Sequence, residues 1–159
     1  MSAFKRLILV KIELMNFEFE KDEEYFNALL ASSGGVEQNL DLFDFRDPCV
    51  KRAEFAKQRN HVFQLLEEEL GNICQLQCHT DCAGTAEHVD HLIPLSSNEL
   101  NKKLRRMTGV NGKKAPTQSF GSNNRKNFAL ACARCNSFKK HKFPSIEILQ
   151  RVIAYGEGE

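Results

Sequence analysis

No stretch of the chain approaches the roughly 20 consecutive apolar residues of a membrane-spanning helix, so a protein threaded through a bilayer by such helices is set aside. An export signal is not expected either. The early segment "FKRLILVKIEL" carries Lys11 and Glu13 where a signal needs an unbroken apolar core. The expected setting is cytoplasmic, that is intracellular in a bacterial or phage-type context. Internal repeats and low-complexity tracts are also absent, which sets aside a solenoid or a linker array. One local absence is more telling. Between residues 101 and 126 no acid occurs, although Lys102, Lys103, Arg105, Arg106, Lys113, Lys114, Arg125 and Lys126 all lie there.

The 159 residues suffice for one domain with a buried core, or one domain with an appendage. A formal net charge of +1 conceals a division. Residues 1–71 hold 9 Lys/Arg against 14 Asp/Glu, and residues 72–159 hold 13 against 7. The basic half therefore suggests a polyanionic partner. The natural division is an N-terminal α/β segment over 1–71, a module over 72–143 containing the basic insertion 101–126, and a C-terminal helix over 144–159.

Residues 4–19 are β-rich and partly alternate, which predicts one or two strands. "KDEEYFNALLASSGG" predicts a helix stopped by Gly34 and Gly35. Asp47-Pro48 is an N-cap and first-turn pair, and Gly71 a stop. The intervening helix is expected to be a polar surface helix turning Ala53, Ala56, Phe63, Leu66 and Leu70 to one side. After Gly71 the texture becomes loop-rich. A helix is predicted over 98–107, then a loop "TGVNGKKAPTQSFGSNN", a strand "FALAC" over 128–132, a helix over "ARCNSFKKHKF", and an amphipathic helix after Pro144-Ser145.

Six cysteines are present, and an intracellular chain has little use for disulfides. Cys132-x2-Cys135 can bring two thiolates to one ion from a single turn. Any two of Cys74, Cys78 and Cys82 would complete a tetrahedral four-cysteine site. Four thiolates suit Zn2+ and leave no open position, so this metal would be structural. Cys78-x3-Cys82 is compact and Cys74-x7-Cys82 encloses a larger loop, and the spacing leaves both open. Cys49 stands apart as a small apolar side chain.

"EHVDHLIPLS" reads as a strand ended by Pro94, yet its centre is Asp90-His91, a pair of no packing value. On a regular strand the two would point to opposite faces, so they are expected at a bend or strand end. His91 can accept a proton from water near neutral pH. His61, His79, His88 and His141 have weaker claims to a role.

The order of a cysteine pair, "VDHLIPLS" and "NFALACARCNSFK" resembles the HNH endonucleases. The matching pieces are Asp90-His91, Asn127, and Cys132 through Lys139 with Asn136 after the second cysteine. "CQLQCHTDCAGTAEHVDH" also resembles a phage and bacterial subgroup, in an alignment that makes Cys74 and Cys82 the first ligand pair and leaves Cys78 spare. The resemblance covers residues 73–142, with a longer gap than usual between Asp90 and Asn127.

The resemblance implies an α+β protein: a helix-rich N-terminal part followed by a ββα-metal module stapled by a four-cysteine zinc site. It implies metal-dependent hydrolysis of DNA phosphodiesters. A restriction-type enzyme of this kind would be a homodimer, a two-fold pair cutting both strands of a duplex. His91 would be the base, and Asp90 and Asn136 the ligands of a catalytic Mg2+ or Mn2+. Asn127 would brace the His91 loop and set the ring's orientation. Lys139, one turn beyond Asn136, would reach a phosphate. The cations of the insertion, interleaved with Asn, Gln, Ser and Gly, would bind DNA from a flexible loop. The principal rival is a zinc-stapled DNA-binding module without catalysis, and an interaction protein using the knuckle only as a staple is a second.

Overall fold

A computed structural model describes residues 2, 3, 6, 7 and 16–157. The strands expected over 4–19 therefore fall largely outside the described residues. The first element with defined ends is α1, Glu20–Ser32, whose first turn carries Glu20, Asp22 and Glu23 at the positive end of the helix dipole. Its C-cap is Ser33, and Gly34 follows at φ 83°, the expected stop. A 3-10 turn, Glu37–Leu42, leads to α2, Pro48–Leu70.

The ends of α2 are those the sequence announces. The Asp47 carboxylate accepts from the Cys49 N–H at 2.7 Å, Pro48 fills the first turn, and Gly71 closes the helix at φ 80°. Its buried stripe differs from the expected one. Lys51, Phe55, Val62 and Leu66 point inward, with Phe63 and Leu70 half-buried beside them. Ala53 and Ala56 are exposed and line a cleft. The helix is a surface helix, as expected, but its buried stripe makes it an inner wall as well. Cys49 is exposed at its start, so it fills no core position.

The centre of the molecule is a strand pair followed by a helix. Strand β1, His88–His91, runs antiparallel to β4, Phe128–Ala131, in the register His88 to Ala131 and His91 to Phe128. Helix α4, Ala133–Lys139, follows β4 at once, with Cys132 as its N-cap. Between the strands lie a minor two-stranded sheet, β2 Ser96–Ser97 with β3 Thr117–Gln118, and the helix α3, Glu99–Thr108, which buries none of its residues. Helix α5, Ile146–Glu157, closes the fold through Leu149 and Val152. The architecture is α+β.

One core spans the three sequence segments. Phe26, Leu29 and Phe43 from the acidic half pack with Cys74, Leu76, Ile93, Phe120 and Leu149. The boundaries at 71 and 143 therefore do not coincide with breaks in packing. A second cluster joins Phe55, Val62 and Leu66 of α2 to Leu95, Phe128 and Leu130.

The basic insertion divides in two. Residues 101–116 are exposed or half-exposed, but 119–122 are buried. Phe120 is 1% exposed, with its ring 5.3 Å from that of Phe26 and 5.8 Å from that of Phe43. The expected flexible loop ends here because an aromatic side chain in a polar run finds a large apolar surface in the acidic half. Gly121 makes the approach possible. Its N–H donates to the Pro94 carbonyl at 3.3 Å, and a Cβ built on it would lie 2.0 Å from the Ile93 oxygen. Gly121→Ala should lose about 3 kcal/mol of stability through this backbone collision. An unchanged midpoint in urea unfolding would show that the two backbones are not in close approach.

Candidate active site

The cysteine cluster is assembled from three places: the chain after α2, the turn before β1, and the start of α4. The thiol sulfurs of Cys74, Cys82, Cys132 and Cys135 all lie within 4.8 Å of one another. A Zn–S length of about 2.3 Å puts the corners of a tetrahedron about 3.8 Å apart, and Cys82 and Cys132 already stand at 3.9 Å. Four sulfur donors at these separations can hold a metal ion and fit structural zinc. The backbone prepares the site. Cys74 N–H donates to Gly84 O at 2.9 Å, and the Gln75 carboxamide accepts from Leu130 N–H at 2.8 Å, tying this loop to β4.

Cys78 is the thiol left over. Its sulfur stands outside the group of four and leans on the Cys135 carbonyl at 3.8 Å. The choice between Cys74 and Cys78 thus falls on Cys74. His79 is outside the cluster: its Nδ1 accepts from the Asp81 N–H, and its ring lies against Phe138.

His91 is the last residue of β1, the strand end expected of an Asp-His pair. Pro94 is not what ends the strand. Asn127, fully buried at the end of the 3-10 turn just before β4, does so instead. Its backbone oxygen accepts from Leu92 N–H at 2.8 Å and its Oδ1 from Ile93 N–H at 2.8 Å. Its Nδ2 donates to Ile93 O at 2.9 Å and Ser122 O at 2.8 Å. Asn127 therefore braces the loop, as expected, but it does not orient the imidazole.

Asn123 has that task, and no local feature of the chain points to it. His91 Nε2 lies 2.9 Å from Asn123 Oδ1, while Asn123 Nδ2 donates to the Lys51 carbonyl at 2.9 Å. The second bond fixes which end of the amide faces the ring, so Nε2 carries the hydrogen and Nδ1 keeps its lone pair. The rings of Phe55 at 4.4 Å and Phe128 at 5.2 Å grip the imidazole edge-on. Behind them Lys51 is fully buried, donating to the carbonyls of Asp44, Ser119 and Gly121 at 2.8, 3.0 and 2.8 Å. Burial lowers its pKa to about 8, so it remains an ammonium at pH 7.

Asp90 is buried and paired with Lys139, whose Nζ lies 3.1 Å from Oδ2 and donates to the His91 carbonyl at 2.8 Å. Burial pushes the Asp90 carboxyl above its ordinary range, and the Lys139 ammonium opposes that shift. Lys139 is itself 5% exposed. The phosphate contact expected of it is therefore corrected: a four-residue step from Cys135 turns it inward under β1, toward the nearest carboxylate, instead of outward.

Asp90, His91 and Asn136 line one cleft of about 1260 Å³, bounded by α2, β1, the 94–98 turn, α3 and α4. The imidazole and the amide of Asn136, distant in sequence, thus open on a common space. The insertion contributes less than expected. Arg105 and Lys114 reach the cleft. Lys102, Arg125 and Lys126 ion-pair with Glu99, Glu69 and Asp41, acids outside the stretch that contains no acid of its own. Lys103, Arg106 and Lys113 are exposed or half-exposed away from the lining. The cleft instead receives Arg52 and Arg59 from α2. No protein-family model, curated protein or solved structure matches the chain.

Two outcomes follow. Purified protein should retain one zinc per chain, Cys78→Ser should keep it, and Cys74→Ser should lose it with most of the stability. Equal retention by both variants would place the ligand set elsewhere. Burial lowers the His91 pKa to about 4, with the charges of Lys139, Lys51 and Arg59 adding to it and the Asn123 bond opposing. Between pH 6.5 and 4 the unfolded chain binds a proton that folded His91 refuses, so stability should fall as pH falls through that window. His91→Gln should flatten this part of the curve of unfolding free energy against pH. An equally steep curve would mean that His91 is not the group responsible.

Proposed function

We propose that the protein is a metal-dependent endonuclease of the HNH class that hydrolyses DNA phosphodiester bonds. The carrying observation is the convergence of Asp90, His91 and Asn136 on one cleft. The uncharged His91, with Nε2–H held by Asn123, presents Nδ1 as the base. In the reaction a water oxygen bonds to phosphorus, its proton passes to His91, the bond from phosphorus to the 3′ oxygen breaks, and the leaving oxygen is protonated from solvent. Asp90 and Asn136 are the oxygen donors that would hold Mg2+ or Mn2+. That ion would supply positive charge to the scissile phosphate and the leaving oxygen. The remaining coordination positions of such an ion would fall to water and phosphate.

The cysteine site is read as structural zinc, holding the start of α4 and hence Asn136 in place. A restriction-type enzyme would act as a homodimer, one copy per strand. One observation favours the rival, a DNA-binding module without catalysis: the Lys139 ammonium neutralises the acid that would hold the cation. Cleavage separates the two readings. Plasmid incubated with the protein and Mg2+ or Mn2+ should be nicked or linearised, and EDTA should abolish this. His91→Ala should lose at least about 1000-fold in rate with DNA affinity retained. Asn123→Ala should lose rate while keeping affinity and move the acid limb of the pH profile downward, because the Asn123 bond is what raises the His91 pKa. Tight, salt-sensitive binding with no cleavage by the wild-type protein would establish the rival.

A further inference from the structure

The cleft is walled in part by α2, a helix from the acidic half to which the sequence assigned no function. Arg52 and Arg59 of this helix both line it. They are seven residues apart, on one face, separated by about 10.5 Å along the axis. That is close to the axial rise of three nucleotide steps on one DNA strand, about 3.4 Å each. Ala53 and Ala56, between them in sequence, line the same cleft.

The position of Arg59 is fixed by packing. Its guanidinium carbon lies 5.6 Å over the Phe55 ring, and Phe55 is the ring that meets the edge of His91 at 4.4 Å. Arg59 is therefore tied by one aromatic side chain to the imidazole that would accept the water proton. Arg52 lies toward the other end of the cleft. His141, exposed at the surface but crowded by neighbouring side chains, has its pKa lowered first by that crowding and then by Arg52, Lys139, Lys114 and Lys102. Cations from α2, the insertion and α4 thus share one region.

The remaining lining has the same sign. Arg105, Lys114 and Lys140 join the two arginines. The acids present are Glu87, which accepts from Ala133 N–H, and Asp90, which is paired with Lys139. So many cations around an open groove favour a backbone of regularly spaced phosphates over a small anion, which would need a closed pocket.

We infer that α2 is a DNA-backbone clamp, with Arg52 and Arg59 binding phosphates three steps apart on one strand, on either side of the one presented to Asp90, His91 and Asn136. This rests on the proposed nuclease reading for the position of the middle phosphate, but not for the binding itself. The N-terminal half then acts as one jaw of the substrate groove, and its net negative charge lies on other faces. Contacts of this kind set register without reading bases.

The test is a duplex-binding titration over a range of salt, with His91→Ala in every protein so that no cleavage consumes the probe. A DNA duplex of about two helical turns is followed by fluorescence anisotropy. Replacing Arg52 and Arg59 by Gln should reduce the slope of log Kd against log salt by about 1.8, about 0.9 for each phosphate released. Lys57→Gln, on another face of α2, should change the slope by less than about 0.5, as expected for a charge away from the duplex. Thermal melts of all variants should superpose, because both arginines lie at the surface. An unaltered slope in R52Q/R59Q overturns the clamp even if the parent enzyme cuts DNA. Failure of the parent protein to bind any duplex overturns it as well. Binding with the expected loss of slope, alongside wild-type protein that never cuts, upholds the clamp while the nuclease reading falls.

Discussion

The antiparallel pairing of β1 with β4 places every candidate group, and Asn127 makes that pairing possible where it matters most. At the end of the ladder the chain must leave the sheet, and two backbone groups of Ile93 would be buried without partners. The Asn127 carboxamide takes both, and its own backbone takes Leu92. The turn after His91 is consequently rigid without being regular. His91 can sit at the strand end with its ring toward the cleft while Asp90, the preceding residue, lines the same cleft and pairs with Lys139. The start of β4 also begins the path to Cys132, Cys135 and Asn136, so the same pairing links the imidazole to the metal-type cysteine site.

A second constraint is electrostatic. Among the described residues two lysines are buried, and each holds a loop through backbone carbonyls. Lys51 ties Asp44 to the Ser119–Gly121 segment, and Lys139 ties α4 to the His91 carbonyl. A buried cation with such partners is tolerable where a lone one is not. Lys51 also offers its backbone carbonyl to Asn123. The orientation of the imidazole thus depends on a residue of the acidic half, far upstream in the chain. This explains why that half cannot be regarded as an appendage.

The local elements were legible in the sequence where capping chemistry is explicit. Asp47-Pro48 and Gly71 bound α2, Gly34 follows α1, and the paired cysteines open α4. The cysteine set was legible from its spacing, and the Asp90-His91-Asn136 grouping from the resemblance that implied it. Relations across the chain were not. Nothing local distinguishes Asn123 from its neighbours in "GSNNRKN", and its role appears only when Lys51 fixes its amide. Lys139 looked like a surface cation because its partner, Asp90, belongs to the other half of the strand pair. The insertion looked uniformly mobile because Phe120 and Gly121 reveal their burial only against Phe26, Phe43 and Ile93. Periodicity also misjudged α2, since an alanine face can line a groove as readily as a core.

The central claim is that one hard cation settles between the Asp90 carboxylate and the Asn136 carbonyl, beside His91. The most direct measurement is a crystal structure of the protein with Mn2+, using the metal's anomalous scattering to locate it. The predicted result is an anomalous peak within about 2.2 Å of an oxygen of each residue, with the Asp90–Lys139 distance lengthened. Manganese found elsewhere, with Asp90 still closed on Lys139 and the space beside His91 holding only water, would contradict it.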